Sequence, residues 1–304
     1  ATMLFMTGCG KEDGLSAAQP GTAFMDASVT GEELQKAKDD EVIKMSNANG
    51  LAVFKDLLAK DETGDNLVYS PASLAFALGM VQNGADKETK DQLLAYYTKL
   101  MEDKGVSSTI DSQTVNEALG YALGGIMVNG ESTRDITFAN SVWLNKDFTP
   151  NQAYIDDLMY YYHGSLFTVD FAKQATIGHI NGWAKDQTHG LIDKVVDQLD
   201  PLTQAVLMNA VYFKSLWLTP FTVDGTKTFY NASSEAQVPF MKHRIQGDYY
   251  SHDRFQMVGL PYKNDTTMYV FLPTLSADAT TGSVKDWLKE TGYETLEEAI
   301  MNSK

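Results

Sequence analysis

A ten-residue segment with almost no polar side chain constrains the fold of this chain more than any other feature. Residues 204–213 read QAVLMNAVYF, which is long enough for a β-strand and too short to cross a membrane as a helix. A strand that is apolar at successive positions is expected to be buried on both faces. The segment therefore predicts a large sheet that is covered on both sides and holds this strand in its interior.

Asn209 interrupts this apolar strand near its centre. Asparagine is disfavoured within strands, and a buried amide without hydrogen-bond partners costs roughly 1–3 kcal/mol. The side chain of Asn209 is therefore expected to have specific partners. Among the residues of this strand, Asn209 is the candidate for a role other than packing.

The composition is that of a packed globular protein with an acidic surface. The chain has 304 residues, of which 43% are hydrophobic, and its formal net charge is −16. This length allows one large domain or two ordinary ones. An excess of carboxylates disfavours DNA, RNA and anionic lipid surfaces as electrostatic partners, because these are bound through clustered Lys and Arg side chains.

The start of the chain contains its single cysteine, Cys9, so no intramolecular disulfide bond can form. Residues 1–9 resemble the end of a bacterial lipoprotein signal peptide, which predicts an exported, cell-surface protein that is lipidated at Cys9. Residues 10–40 are rich in small and charged residues and are interpreted as a flexible tether. The alternative is a frayed terminus that contains a cysteine by chance.

The rest of the chain, residues 41–304, shows no internal repeat or linker and is predicted to form one body of mixed helices and strands. Ser70 and Pro71 are typical of a helix cap and first turn, and Thr149 with Gln152 matches a capping box. Helices are predicted at 41–60, 71–83, 87–101, 116–127, 150–163, 177–189 and 283–304, and strands at 67–69, 137–144, 166–171, 204–213, 227–230, 236–241, 256–260 and 267–272.

Several blocks of residues, taken in order, resemble the serpin family. Residues 66–80 (NLVYSPASLAFALGM) carry the pattern N-x-x-x-S-P-x-S, and residues 83–93 continue with N-G-A and T-x-x-Q-L. Residues 180–192 (INGWAKDQTHGLI) resemble IN-x-W followed by T-x-G-x-I, and residues 209–221 (NAVYFKSLWLTPF) resemble N-A-x-x-F-K-G-x-W-x-x-P-F. The resemblance implies an α+β fold in which helices surround a large central mixed sheet, with smaller sheets beside it.

The resemblance also implies a function and a set of residues that perform it. Serpins inhibit serine or cysteine endopeptidases: the protease cleaves an exposed reactive loop, which then inserts as a strand into the central sheet. Ser70, Ser73 and Asn209 match the shutter residues that hold this sheet closed, and Trp217 matches the breach where the loop first inserts. The helix at 150–163 matches the helix that lies across the sheet and yields during insertion.

The reactive loop, the last core strands and the usual histidine partner of the shutter have no counterpart in residues 1–304. The sequence is therefore interpreted as incomplete at its C-terminus, with a reading frame that extends beyond Lys304. Without that histidine, the hydrogen bonds of Asn209 are expected to be only partly made. A chain that ends here is expected to self-associate, whereas a complete serpin is monomeric. The target protease cannot be named from these residues.

Two other hypotheses stay open, besides simple packing roles for Ser70 as a helix cap and Trp217 as a core residue. The first is a non-inhibitory serpin-fold protein that binds a ligand or acts like a chaperone. The second is an exported hydrolase, although no G-x-S-x-G, H-E-x-x-H or P-loop motif occurs in the sequence. The histidines show no spacing typical of metal ligands, so neither a metal nor a cofactor is predicted.

Overall fold

A computed structural model of the chain divides into two compact units. Unit 1 comprises Ala1–Ser46 and Ser70–Phe213, and unit 2 comprises Asn47–Tyr69 and Lys214–Lys304. Each unit has hydrophobic cores formed by its own residues, and the single domain over residues 41–304 stays a prediction. The described residues are 16–17, 41–62, 66–102, 110–124, 127–128, 131–132, 135–230, 234–244, 248–274 and 281–303.

The helices and strands of the described residues mostly agree with the pattern of the sequence. The helices are α1 (Glu41–Lys60), α2 (Pro71–Gly84), α3 (Lys87–Glu102), α4 (Ser112–Gly124), α5 (Gln152–Tyr162), α6 (Gln174–Gln187), α7 (Thr281–Glu290) and α8 (Tyr293–Met301). The strands are β1 (Ser16–Ala17), β2 (Met127–Val128), β3 (Glu131–Ser132), β4 (Ile136–Asn145), β5 (Gly164–Val169), β6 (Ala205–Phe213), β7 (Thr222–Tyr230), β8 (Glu235–Lys242), β9 (Tyr249–His252), β10 (Phe255–Pro261) and β11 (Thr267–Pro273).

Three local predictions are wrong. Residues 67–69 form no strand, since no described strand pairs with them, and Val68 is 91% exposed. Helix α5 is capped by Asn151 rather than by Thr149, because the Asn151 Oδ1 accepts a hydrogen bond of 2.9 Å from the Tyr154 backbone N–H. The helix predicted over 283–304 is two helices, and the second begins after Gly292.

The main sheet of unit 1 has the strand order β1-β5-β4-β6. Strand β4 pairs in parallel with β5 and antiparallel with β6, and the second register places Asn140 opposite Asn209. Strand β1 pairs Ser16 and Ala17 with β5. Two residues of the predicted flexible tether over 10–40 are therefore held in a sheet, and the rest of that tether lies outside the described residues.

Helices cover both faces of this sheet. Successive side chains of a strand point to opposite faces, so neighbouring residues of β4 pack in different cores. On one face Phe138, Val142 and Leu144 of β4 pack in the largest core, to which α2, α4 and α5 contribute. On the other face Trp143 packs with Ile180 of α6. The helix at 150–163, predicted to lie across the sheet, corresponds to α5 and packs in the same core as α2 and α4, whereas α6 packs in the core on the other face.

Among the strands that the structure describes, β6 lies at the edge of the sheet and not in its interior. Its two faces do pack: Leu207 and Val211 contact the larger core, and Val206 and Met208 contact the core on the side of α6. Its side chains are nevertheless only half-buried, and the ends of the strand are exposed. The predicted two-sided packing is confirmed, whereas full burial is wrong, because no described strand pairs with the outer edge of β6.

Unit 2 contains two separate sheets, one of order β11-β10-β9 and one of β7 paired with β8. Phe255 and Met257 of β10 form its core with Ala299 of α8. The opposite face of β11 is largely uncovered, since Met268, Val270 and Leu272 are 46%, 37% and 64% exposed. Among the described residues of both units, no helix is long and apolar enough to span a membrane.

Candidate sheet-opening site

Ser70 and Ser73 lie together at the start of α2. Ser70 adopts extended backbone geometry, and its Oγ accepts a hydrogen bond of 3.2 Å from the Ser73 backbone N–H. The Ser73 hydroxyl donates a second hydrogen bond of 2.9 Å to the same Ser70 oxygen. The prediction of Ser70 as a helix cap is therefore confirmed, and both hydroxyls already have partners within the helix.

Asn209 is joined to β4, and not to the two serines, by a hydrogen bond across the sheet. Its Nδ2 donates to the Asn140 Oδ1 over 2.7 Å. Its Oδ1 is buried and has no hydrogen-bond partner among the described residues. The expectation that the hydrogen bonds of Asn209 are only partly made is thus confirmed, since the amide nitrogen has a partner and the carbonyl oxygen has none among the described residues.

Asn140 connects Asn209 to the helical layer. The Asn140 Nδ2 donates a hydrogen bond of 2.7 Å to the backbone carbonyl of Tyr162, the last residue of α5. Both Asn140 and Tyr162 are almost completely buried, with exposed fractions of 2% and 0%. A strand at the edge of the sheet is therefore linked by two amide hydrogen bonds to a helix behind it.

Behind this link, Asn116 of α4 accepts three hydrogen bonds at its Oδ1. The donors are the Tyr162 hydroxyl at 2.6 Å, the Asn83 Nδ2 at 2.6 Å and the Gln82 Nε2 at 3.1 Å. The Asn116 Nδ2 donates in return to the Asn83 Oδ1 over 3.0 Å. We call the six connected side chains the amide network: Gln82, Asn83, Asn116, Asn140, Tyr162 and Asn209.

Burial sets the electrostatic character of the amide network. Loss of hydration, followed by the nearby Tyr97, raises the pKa of Tyr162 above its ordinary value, so its hydroxyl remains a donor at neutral pH. The Gln82 Oε1, like the Asn209 Oδ1, is buried and has no hydrogen-bond partner in the described parts of the chain. The hydrogen bonds of the network are therefore only partly made. Each unmade bond costs free energy, because the site is buried.

Sequence reasoning found Asn209 and missed its partner. Asn140 lies in the middle of the predicted strand 137–144, so the same signal, an asparagine inside an apolar strand, was present there. Asn116 and Tyr162 carried no comparable signal, because polar and aromatic residues are ordinary in helices. Their connection depends on how α4 and α5 pack together.

Trp217 lies in unit 2, directly after β6 in the chain. Its ring stacks on Tyr262 with centroids 4.2 Å apart and an angle of 13° between the planes, and Phe221 meets it at 5.5 Å. The Leu218 backbone N–H donates to the Pro261 carbonyl over 2.9 Å, which fixes this segment against β10. Trp217 is half-buried in an aromatic cluster, and its role at the breach stays a prediction.

The other predicted site features concern the start of the chain and metal binding. Cys9, the predicted lipidation site, lies outside the described residues. Within the described parts of the chain, no group of His, Cys, Asp and Glu side chains is arranged to hold a metal ion.

The family assignment rests on the sequence as well as on the fold. The family model described as serpin (serine protease inhibitor) matches residues 44–304. The chain belongs to the serpin family. This serpin is 32% identical over 245 residues to serpin-Z10 of Arabidopsis thaliana and 31% identical over 267 residues to iripin-3 of Ixodes ricinus. These alignments cover 75% and 83% of this chain, but only 60% and 63% of the two relatives.

Solved serpin structures confirm the α+β fold. The thermophilic serpin tengpin in its native state superimposes with a TM-score of 0.71 at 26% identity, covering 94% of this chain and 67% of tengpin. Emu ovalbumin (Dromaius novaehollandiae) gives a TM-score of 0.73 at 23% identity, covering 87% of this chain and 71% of ovalbumin. This serpin therefore spans about two-thirds of these solved chains and somewhat less of the two curated relatives.

Proposed function

We propose that this protein is a serpin-type inhibitor of a serine or cysteine endopeptidase, acting through cleavage of a reactive loop and insertion of that loop as a strand. The observation that carries the proposal is the unpaired outer edge of β6. This strand lies at the sheet edge of the described residues, and the buried Asn209 Oδ1 on it has no partner. A strand that added beside β6 would pair with its outer edge and bring donors near this oxygen.

The surroundings of β6 support the same mechanism. Helix α2 packs against β6, and the hydroxyls of Ser70 and Ser73 at its start can exchange partners at a cost of about 1 kcal/mol each. The amide network ties β6 to β4 and to the helices behind it. These contacts would hold β6 in place before insertion, with Trp217 near the first point of insertion and α6 as the helix that yields.

The protein is expected to have no catalytic activity of its own, since the proposed reaction uses the catalytic residues of the protease. The protease attacks a loop carbonyl and forms an acyl-enzyme, and the cleaved loop then moves into the sheet. The bond formed is therefore an ester or thioester to the protease nucleophile, and the bond broken is the scissile peptide bond.

The experiment incubates the whole product of the gene that contains this chain with a panel of trypsin-like, chymotrypsin-like, subtilisin-like and papain-like proteases. We expect one of them to form a complex that survives SDS. A protease whose nucleophile is chemically blocked is the control and should form none. Cleavage without a stable complex throughout the panel would contradict inhibition and favour the alternative, a non-inhibitory serpin-fold binding protein.

We also propose that the protein is exported and anchored by a lipid on Cys9. The support is the lipoprotein-like pattern of residues 1–9 and the polar composition of the residues that follow. The test is metabolic labelling with a radioactive fatty acid in a bacterial host that expresses the whole gene product. Label should enter the wild-type protein and be absent from Cys9→Ala; equal labelling of both proteins would refute the anchor.

A further inference from the structure

A cavity of about 750 Å³ lies in unit 1 beside the first residues of β6. Its floor is formed by Val142 and Leu144 of β4 and Leu207 of β6, and Tyr154 at the start of α5 forms a wall. Cavities of this size with a mostly apolar lining are typical of sites for small organic molecules. The cavity is separate from Ser70, Ser73 and Asn209, which do not line it.

The polar groups of this cavity differ in how far their bonding capacity is already used. Asn83 lines the cavity, but its amide is occupied within the amide network. Asp86 lies at the exposed rim and pairs loosely with Lys87 at 4.0 Å. Lys90 is half-buried and has no ion-pair partner among the described residues.

The charge that faces Lys90 from α5 is that of Asp157. Burial raises the pKa of this carboxyl, and the positive charge of Lys90 offsets only part of the rise. The two groups therefore attract each other without forming an ion pair, and the Lys90 ammonium keeps its hydrogen-bond donors available.

Tyr154 supplies the second available donor. Its hydroxyl has no hydrogen-bond partner among the described residues. Burial raises the pKa of Tyr154 to about 12, so the phenol is protonated and able to donate at neutral pH. Lys90 and Tyr154 thus present a cation and a neutral donor to the cavity, and both favour a ligand that presents an anionic acceptor.

We propose that this cavity binds an amphipathic monocarboxylate of the medium-chain fatty acid type. Its alkyl chain would lie against Val142, Leu144 and Leu207, and its carboxylate would accept hydrogen bonds from Lys90 and Tyr154. The apolar floor would shield the alkyl chain of the ligand from water. The single lysine would favour a ligand with one negative charge. The site is independent of the proposed protease inhibition, because it uses neither a reactive loop nor the shutter residues.

The first experiment titrates the 1–304 chain with decanoate by calorimetry, below the concentration at which decanoate forms micelles. We expect saturable binding of one molecule per chain. Lys90→Gln should weaken it at least about tenfold, because a charge-assisted hydrogen bond is lost. Lys87→Gln is the matched control: this lysine lies on the same helix outside the cavity and should leave the affinity unchanged. Equal affinity of wild type and Lys90→Gln would overturn the proposal.

The second experiment tests the position and the chemistry of the site. Ala205 lines the cavity, so Ala205→Trp should abolish decanoate binding, whereas Ala153→Trp, on an exposed position of α5 outside the lining, should not. Decanol and decylamine keep the alkyl chain without the carboxylate and should bind more weakly than decanoate. Equal binding of all three molecules, or binding that survives Ala205→Trp, would refute the assignment. Native mass spectrometry checks that each variant is folded.

Discussion

At the scale of single residues, the proposed sheet opening involves amides whose hydrogen bonds are only partly made. Asn140 has both of its polar atoms engaged, one with Asn209 and one with the Tyr162 carbonyl. Asn209 has one atom engaged and one buried without a partner. The two residues face each other in one register pair, but their replacement should have unequal effects.

Asn140→Ala is expected to lower the free energy of unfolding by about 2–3 kcal/mol, because it leaves the Asn209 amide and the Tyr162 carbonyl buried and unpaired. Asn209→Ala should cost about 1 kcal/mol or less, since it also removes an oxygen that has no partner. Urea denaturation followed by circular dichroism measures both. Equal losses in the two variants would contradict this account of the network.

Buried tyrosines make a second prediction at this scale, on alkaline stability. Burial raises the pKa of Tyr97 and of Tyr154 from 10.0 to about 12. An unfolded tyrosine therefore loses its proton first as the pH rises, so the stability contributed by these groups is complete below pH 10 and is lost above it. Each group should cost roughly 1 kcal/mol at pH 11.

The test compares urea denaturation at pH 8 and pH 11 in wild type and in Tyr154→Phe. The phenylalanine variant should lose roughly 1 kcal/mol less than wild type over this interval. Tyr230→Phe is the control, because Tyr230 is 69% exposed, and it should behave like wild type. An identical alkaline loss in all three proteins would show that Tyr154 does not titrate as proposed.

At the scale of the elements, the glycines of α2 and α6 differ in whether a larger side chain would fit. A Cβ atom built on Gly79 of α2 would lie 2.6 Å from the Tyr162 hydroxyl and 2.7 Å from the Leu119 Cδ1. A Cβ atom on Gly178 of α6 would meet nothing within 4 Å. The layer of α2, α4 and α5 is therefore closely packed at this position, whereas α6 has open space beside its glycine.

Two glycine-to-alanine variants should consequently shift stability in opposite directions. Gly178→Ala is expected to raise the free energy of unfolding by about 0.5–1 kcal/mol, since alanine favours the helix. Gly79→Ala should lower it by about 1–3 kcal/mol, because overpacking against Tyr162 and Leu119 exceeds the same helix preference. Thermal denaturation of the two variants gives the comparison; a gain at Gly79 would mean that α2 and α5 can move apart at little cost.

At the scale of the whole molecule, an uncovered sheet edge is combined with a large negative charge. Strand β6 has no described neighbour on one side, and β11 exposes an apolar face. Such surfaces pair with other chains, whereas a net charge of −16 makes copies of the chain repel one another. Association should therefore depend strongly on salt.

The 1–304 chain is expected to self-associate, and to do so more as salt screens the repulsion between copies. Light scattering over a range of protein and sodium chloride concentrations measures this. A monomer at every concentration and salt level would contradict the assignment of β6 as an open edge.

The sequence by itself determined the family, the α+β class, the positions of most helices and strands, and Asn209 as the exceptional residue of its strand. These features depend on short-range patterns: alternation along a strand, the chemistry of a helix cap, and the order of conserved-looking blocks along the chain. The partner of Asn209 could not be found in this way, because Asn140 lies 69 residues earlier and faces it only through the register of β4 and β6. The edge position of β6, the contact of Asn116 with Tyr162 and the cavity beside Tyr154 were likewise decided by tertiary packing, since each depends on which elements become neighbours in space.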